Sequence, residues 1–266
     1  MLKDITIGQY LPGNSLLHRM DPRSKINGIL FYMIALFVIN NFTGFWFMLG
    51  ISLILILLSR IPLSYFLKGI KPLLVIIILT VLLQAFMTPG EIVWQWKFLH
   101  ATKEGLTMAL FMGTRLVLLV SITSLLTLTT TPIVLTDGIE QMLNPFKKIG
   151  VPAHELAMMM TIALRFIPTL IEETDKIMKA QAARGADFES GNLIKRVKAL
   201  VPILVPLFLS AFKRADELAL AMEARGYHGG EGRTRLKELK FAKLDYAAFI
   251  ASALILALAV VSRIYF

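Results

Sequence analysis

The chain has 266 residues, of which 56% are hydrophobic and only 17% are charged, and its mean hydropathy is +0.68. This composition is too apolar for a soluble domain and is typical of an integral membrane protein. The net charge of +10 then indicates cytoplasmic loops near anionic lipid, and not a nucleic-acid surface. Cysteine is absent, which excludes disulfides, thiol nucleophiles and thiolate metal sites.

Residues 1–25 are basic and contain Pro12 and Pro22, so we expect a cytoplasmic segment in which the prolines break any helix. Two apolar runs follow at 26–39 and 45–59. The first has no small-residue cleavage site and is followed at once by the second, so we interpret it as a retained span and not as a signal peptide. Each run is shorter than the roughly 20 residues that a bilayer core requires, which places part of the intervening turn at the interface.

Basic residues from Arg60 to Lys71 predict a second cytoplasmic loop. Beyond the next span, Trp94, Trp96 and Phe98 predict an aromatic belt at the outer interface. We count five spans, with the N-terminus inside and the C-terminus outside. The last three spans are predicted at 72–88, 105–130 and 246–261.

Arg115 lies inside the fourth predicted span. An intramembrane charge is a functional candidate by default. The sequence shows no obvious partner for it, and we favour a structural role in which Arg115 snorkels or pairs inside the helix bundle.

The chain changes character at Pro132, and the stretch up to 244 holds most of the charged residues of either sign. Its periodicity is helical, but it contains no clean 18-residue apolar run. We therefore divide the chain into a membrane domain, a cytoplasmic coupling-helix domain and a final transmembrane helix. Their predicted limits are 1–131, 132–244 and 245–266. The fold class is an all-α integral membrane protein with about five transmembrane helices and long cytoplasmic helices.

Two predicted helices, at 172–184 and about 193–225, end in the same pattern, Ala-x-x-Ala-Arg-Gly. The two copies start at Ala180 and Ala221, an offset of 41 residues, and the same offset aligns Asp175 with Asp216. Capping alone explains one copy, because glycine ends helices well and an arginine in the last turn contributes about 0.3–1 kcal/mol.

Capping does not explain why arginine, rather than lysine, occurs twice after the same alanines. Small neighbours allow a partner's backbone to approach, and a guanidinium can bind a carboxylate with two hydrogen bonds. We interpret the two ends as matched contact sites for two similar partner surfaces. The residues concerned are Ala183, Arg184, Gly185, Ala224, Arg225 and Gly226.

A second contact surface is predicted around 199–212, which is apolar and contains Pro202 and Pro206. It is too short to span a bilayer and too apolar for a solvated helix. Helices packing on one another would cover part of it. A methionine patch lies at 158–160, and methionine surfaces adapt to partners of more than one shape. The residues predicted to contact this second partner are Met158, Met159, Leu204, Leu207 and Phe208.

The sequence shows no motif for chemistry of its own. It has no Gly-x-x-x-x-Gly-Lys-Ser/Thr loop and no nucleophile elbow, and its four histidines are scattered. Few ionisable groups lie within the spans, which argues against an ion-driven carrier built from this chain alone. We therefore predict no catalytic residue, cofactor or metal, and a protein that couples partners to one another.

These features resemble the T component, the transmembrane coupling subunit, of energy-coupling factor transporters. The resemblance is carried by the two signatures, by Thr130-Thr131-Pro132 and by the stretch 162–168. It extends over essentially the whole chain in order, with its specific motifs between 130 and 230. Neither signature departs from the family pattern.

The resemblance implies two ATP-binding-cassette subunits, each receiving one signature, with Arg184 and Arg225 paired to acidic residues in their grooves. It also implies a small membrane-embedded substrate-binding component held on the apolar surface. ATP binding would shift the helices and reorient that component, so that a vitamin or other micronutrient enters the cell across the bacterial plasma membrane. A membrane scaffold without transport and an integral membrane enzyme are the alternatives. The repeat disfavours the scaffold, and the lack of clustered His, Asp or Glu at a span end disfavours the enzyme.

Overall fold

The computed structural model describes residues 10–96, 99–186, 188, 192–230 and 239–265. These residues form ten α-helices, two short 3₁₀ segments and one two-stranded antiparallel hairpin. The predicted all-α membrane fold class is confirmed. The helices are α1 Leu16–Arg19, α2 Pro22–Val38, α3 Phe42–Ser59, α4 Leu63–Ile70, α5 Leu74–Met87, α6 Lys103–Thr129, α7 Pro132–Leu143, α8 Ala153–Ala183, α9 Leu193–Ala224 and α10 Lys243–Tyr265; the strands are β1 Ile92–Trp96 and β2 Leu99–Thr102.

Five helices in the described part of the chain are long and apolar enough to cross a membrane. They are α3, the continuous segment Leu63–Met87, α6, α8 and α10. Their number agrees with the sequence analysis, but the set differs. The predicted first span corresponds to α2, which has 17 residues, fewer than the roughly 20 that span a bilayer. Helix α8 joins the set because its first half is apolar and Pro168 does not end it.

Two local expectations were wrong. Pro22 does not prevent a helix but begins α2, where its missing N–H has no partner to lose, and the Asp21 carboxylate caps the same turn by accepting from the Arg23 amide at 2.9 Å. The loop predicted from Arg60 contains helix α4. The aromatic belt at the outer interface stays a prediction. Its residues begin in a hairpin in which Ile92 pairs with Thr102; Trp94 is exposed, and Phe98 lies outside the described residues.

The chain forms two compact units. The described residues of 10–138 and 239–265 make up the first, which we call the bundle unit. The described residues of 139–230 make up the second, the long-helix unit. The domain limits that the sequence analysis placed at 132 and 244 stay a prediction.

The core of the bundle unit is formed by apolar side chains of α2, α3, α4, α6 and α10. Leu36, Met48 and Leu128 are fully buried in it. The Tyr32 hydroxyl, also buried, donates to the Met48 carbonyl at 3.3 Å, so its polar atom is satisfied. Of the residues of Leu63–Met87, in contrast, only Phe66 and Ala85 are buried, as expected for a helix that faces lipid.

Two cations, Lys25 buried and Arg115 partly buried, close helix ends inside the bundle unit. Lys25 of α2 donates from Nζ to the Thr129 carbonyl at 3.0 Å and to the Thr130 hydroxyl at 2.9 Å, at the end of α6. Arg115 of α6 donates to the Ile39 carbonyl at 3.0 Å, at the end of α2. The last carbonyls of a helix have no intrahelical donor and carry negative partial charge. Each of these antiparallel helices therefore supplies the cation that satisfies the other's C-terminus.

A second polar cluster joins the beginnings of α2 and α10. Arg23 donates to both carboxylate oxygens of Asp21 at 2.9 Å, and the Asp21 amide donates to Asp245 at 2.8 Å. Burial by itself raises the pKa of Asp21, but the hydrogen bonds and charge of Arg23 outweigh it and hold that pKa below its usual range. Asp21 therefore stays ionised where α2 and α10 meet.

We expect Arg115→Met to lower the free energy of unfolding of the purified protein by about 1–3 kcal/mol, because the Ile39 carbonyl loses a charged donor. Arg115→Lys, which keeps a cation able to reach the end of α2, should recover part of the loss. Thermal unfolding in mild detergent measures both variants. Equal melting temperatures for Arg115→Met and the unaltered chain would show that this contact does not stabilise the bundle unit.

Candidate functional site

The first signature end is the C-terminus of α8. Its last helical residue is Ala183, and Gly185 follows with a φ of +91°. The Gly185 amide donates to the Ala182 carbonyl at 2.9 Å, and the Ala186 amide donates to the Gln181 carbonyl at 3.0 Å. These two bonds form a Schellman cap, which satisfies carbonyls that the helix itself cannot.

The second signature end, the C-terminus of α9, repeats this geometry. The last helical residue is Ala224, and Gly226 has a φ of +72°. The Gly226 amide donates to Glu223 at 2.9 Å, and the Tyr227 amide donates to Met222 at 3.0 Å. The two ends, 180–185 and 221–226, thus share their backbone bonds position by position, and not only their sequence.

Neither glycine is required by crowding within the chain. A Cβ built on Gly185 or Gly226 meets no heavy atom of the described residues within 4 Å. What each position requires is the left-handed backbone, which glycine adopts without strain. The space beside each glycine is open to a partner.

The two ends also present the same side chains to the surface. Ala183 and Arg184 are exposed, as are Ala224 and Arg225. Among the described residues, no ion pair involves either arginine. Each end therefore offers a guanidinium fork beside a small side chain, an arrangement that can bind a carboxylate in a groove.

The aligned aspartates do not extend this likeness. Asp175 pairs with Lys179 in its own helix at 2.6 Å. The position equivalent to Lys179 is Leu220, so the same pair cannot form beside Asp216. The matched part of the repeat is the helix end and its arginine.

Helices α8 and α9 run antiparallel where they pack. Arg214 donates to Glu173 at 2.8 Å, whereas Gln181, farther along α8, donates to the carbonyl of Pro202, farther back along α9, at 3.4 Å. Advancing along one helix therefore means moving back along the other. The two signature ends project in opposite directions from the contact between Glu173 and Arg214.

The bond from Gln181 has a simple cause. In an α-helix the carbonyl of Pro202 would accept from the amide of residue 206, but Pro206 has no N–H. Gln181, the second residue of the first signature, supplies the missing donor. Pro202 and Pro206 both lie inside one continuous helix, and the carbonyl that Pro206 leaves without a donor is used for packing against α8.

The predicted apolar contact surface is only partly exposed. Met159 is 56% exposed, Leu204 46% and Phe208 59%. Met158 and Leu207 are intermediate. Ile203, four residues before Leu207, is buried. The exposed apolar face of α9 is wider than predicted and includes Leu200, Val201, Val205, Leu209 and Phe212.

Sequence reasoning missed the residues that join the two helices, namely Gln181, Glu173 and Arg214. A signal for two of them was present, because Glu173 and Arg214 have opposite charges and are separated by the offset of the signatures. Nothing in the sequence indicated Gln181, because which side chain reaches the Pro202 carbonyl depends on where α8 meets α9.

Within the described part of the chain, no group of three or more histidines and carboxylates could hold a metal ion. His154 is hydrogen-bonded to Glu140 at 3.0 Å. His18 lies 2.9 Å from the Leu11 carbonyl, within hydrogen-bonding distance. Both histidines thus have partners within their own unit.

Residues 13–236 match the family model CbiQ, described as a cobalt transport protein. The chain is similar to the energy-coupling factor transporter transmembrane protein EcfT of Clostridium kluyveri, with 58% identity over 267 residues, covering 100% of this chain and 99% of the relative. It is also similar to the proteins of that name from Acidaminococcus fermentans, with 60% identity over 245 residues and coverage of 92% and 91%, and from Bacillus subtilis, with 51% identity over 259 residues and coverage of 97% and 98%.

We expect Gly185→Ala and Gly226→Ala each to weaken the helix end by about 1 kcal/mol, because a Cβ disfavours positive φ. The amides of Ala186 and Tyr227 should then exchange hydrogen faster, which mass spectrometry or NMR can measure. Gly185→Asn should have a smaller effect, since asparagine tolerates this conformation. Gly50→Ala, at an open helical position in α3, is the control and should not lower stability. If the hydrogen-exchange rates at both helix ends were unchanged in the alanine variants, these positions would not require glycine.

Proposed function

Because the chain belongs to the family of energy-coupling factor transporter transmembrane proteins, we propose that it couples two ATP-binding-cassette ATPase subunits to a substrate-binding membrane component. It is a transmembrane transporter subunit, and in this proposal ATP is hydrolysed only by its partners. The observation that carries the proposal is the pair of exposed ends with equal backbone bonds and equal side chains.

Two like ends favour two like partners. An exposed Arg184 or Arg225 beside alanine and glycine fits a narrow acidic groove, where the fork binds a carboxylate and the small residues allow close approach. ATPase subunits of one fold would offer two such grooves. A single partner, or unrelated partners, would give no reason for the shared geometry.

The second partner is proposed to lie on the exposed apolar face of α9 together with Met159. Phe208 and Leu204 project there without apolar cover from the described part of the long-helix unit. An exposed apolar patch of this kind is typical of a protein or membrane contact. We propose that a small membrane-embedded component binds here through Met158, Met159, Leu204, Leu207 and Phe208, and that this component carries the vitamin or other micronutrient.

The signature ends and the apolar face together suggest how movement of the ATPase subunits reaches the substrate-binding component. Closure of the ATPase subunits on ATP would move the signature ends, and because each end terminates a continuous helix, the movement would reach the apolar face. The substrate-binding component would reorient and release its cargo inside the cell. The charge distribution supports a cytoplasmic N-terminus and cytoplasmic signature ends of α8 and α9 in a bacterial plasma-membrane protein, by the positive-inside rule.

Arg184→Ala and Arg225→Ala should each weaken the association of one ATPase subunit by about 2–5 kcal/mol, the cost of truncating one partner of a buried charge pair. The double variant should nearly abolish uptake. Co-purification from membranes and substrate uptake by cells measure the two effects. Lys179→Ala removes an exposed cation from the same helix and should leave both readouts unchanged. Normal transport by the double variant would exclude the proposed docking.

Leu204→Glu or Phe208→Glu should release the substrate-binding component while both ATPase subunits remain bound, because a charge on an apolar contact is costly to bury. Affinity purification followed by mass spectrometry shows separately whether the substrate-binding component and whether the ATPase subunits remain bound. Lys198→Glu serves as the control, because Lys198 is an exposed residue of the same helix and is not among the proposed contact residues. Recovery of the unaltered chain without any ATPase, in mild detergent, would favour the scaffold instead.

A further inference from the structure

One ion pair lies at a special position in the repeat. Arg214 of α9 donates to the Glu173 carboxylate of α8 at 2.8 Å. The two residues are 41 positions apart, which is the offset between the signatures. Each therefore lies 11 residues before the arginine of its own signature. The contact joins equivalent positions of the two repeats.

Equivalent positions can face each other at only one place in an antiparallel pair. Away from that place, a residue of α8 faces a non-equivalent residue of α9, as Gln181 does in its bond to the Pro202 carbonyl. The Glu173–Arg214 contact is therefore the place from which residues can be counted equally along both helices. On either side of it the chain runs the same number of residues to a signature end.

We propose that Glu173 and Arg214 are positioning residues, which set the register of α8 against α9 so that both signature ends reach equally far from the crossing. At 1.5 Å per residue each arm is about 16 Å long. A slip of α8 by one helical turn past α9 would lengthen or shorten the arm of α8 by about 5 Å and leave the arm of α9 unchanged, so the two ends would no longer reach equally far. This role rests on the proposed function, because equal reach matters only if both ends dock on like partners.

Packing alone defines this register poorly. Among the described side chains, α8 buries only Ala153 and Ala157, and α9 buries Ile203. Interfaces of small or partly exposed apolar side chains tolerate sliding by a turn, because the next set of side chains fits nearly as well. A hydrogen-bonded charge pair is satisfied in one register only, which is the best-attested use of such pairs.

The exposure of the pair agrees with this role. The side chains of Glu173 and Arg214 are 24% and 40% exposed, and an ion pair that faces water contributes little to global stability. Arg214 also lies 3.5 Å from the Ser210 hydroxyl, which holds its guanidinium toward α8. The pair is therefore better suited to select one arrangement of two helices than to hold the unit folded.

The absence of cysteine allows a direct test in the full-length chain. Positions 180 and 221 are exposed and equivalent in the repeat. Spin labels attached to Ala180→Cys and Ala221→Cys report the distance between the two arms by pulsed electron–electron double resonance. Glu173→Arg and Arg214→Glu each place like charges at the crossing. Each should broaden the distance distribution or shift its maximum by about one helical turn, roughly 5 Å. The double exchange, Glu173→Arg with Arg214→Glu, should restore the original distribution.

Lys179→Glu is the matched control, since it also reverses a charge on α8 but disturbs a pair within that helix; it should leave the distance unchanged. An unchanged distribution in both single variants would overturn the proposal, as would a double exchange that does not restore it. Substrate transported per ATP hydrolysed, measured in the reconstituted complex, should fall in each single variant and recover in the double exchange. Undiminished coupling in the single variants would also overturn it. If the distances behave as expected but Arg184→Ala/Arg225→Ala still binds the ATPase subunits, the proposed docking fails while the register role stands.

Discussion

The structure depends on where the unpaired carbonyls at helix ends find donors. A helix leaves its last carbonyls without intrahelical partners, and a bilayer offers no water to replace them. In the bundle unit two cations supply the donors: Lys25 closes the end of α6, and Arg115 closes the end of α2. A charge inside a predicted span thus has a structural cause, and the same contacts join two antiparallel helices.

The long-helix unit solves the same problem differently. Its helices end in Schellman caps, in which backbone amides after Arg184 and Arg225 turn back to the last carbonyls. Because the backbone satisfies itself there, the arginines are not consumed as capping groups. The cap therefore explains both the glycine and the availability of the guanidinium, and the capping and contact interpretations of the signature are complementary.

An interior carbonyl joins the two helices of this unit. Proline at 206 leaves the Pro202 carbonyl without its helical donor, and Gln181 provides one from the other helix. Together with the Glu173–Arg214 pair, this bond defines how α8 lies along α9. The signature ends and the apolar face then belong to one pair of continuous helices, which is what a coupling element requires.

The sequence by itself determined the fold class, the two signatures and the apolar stretch of α9, because hydropathy, glycine and helical periodicity are local properties. It failed where a local rule has two outcomes: Pro22 begins a helix instead of breaking one, and the polar segment before the first signature continues α8 past Pro168. Only the tertiary structure decided the partners of Arg115 and Gln181. Their acceptors are carbonyls freed by a helix end or by a proline, and which side chain reaches such a carbonyl depends on helices distant in sequence coming together.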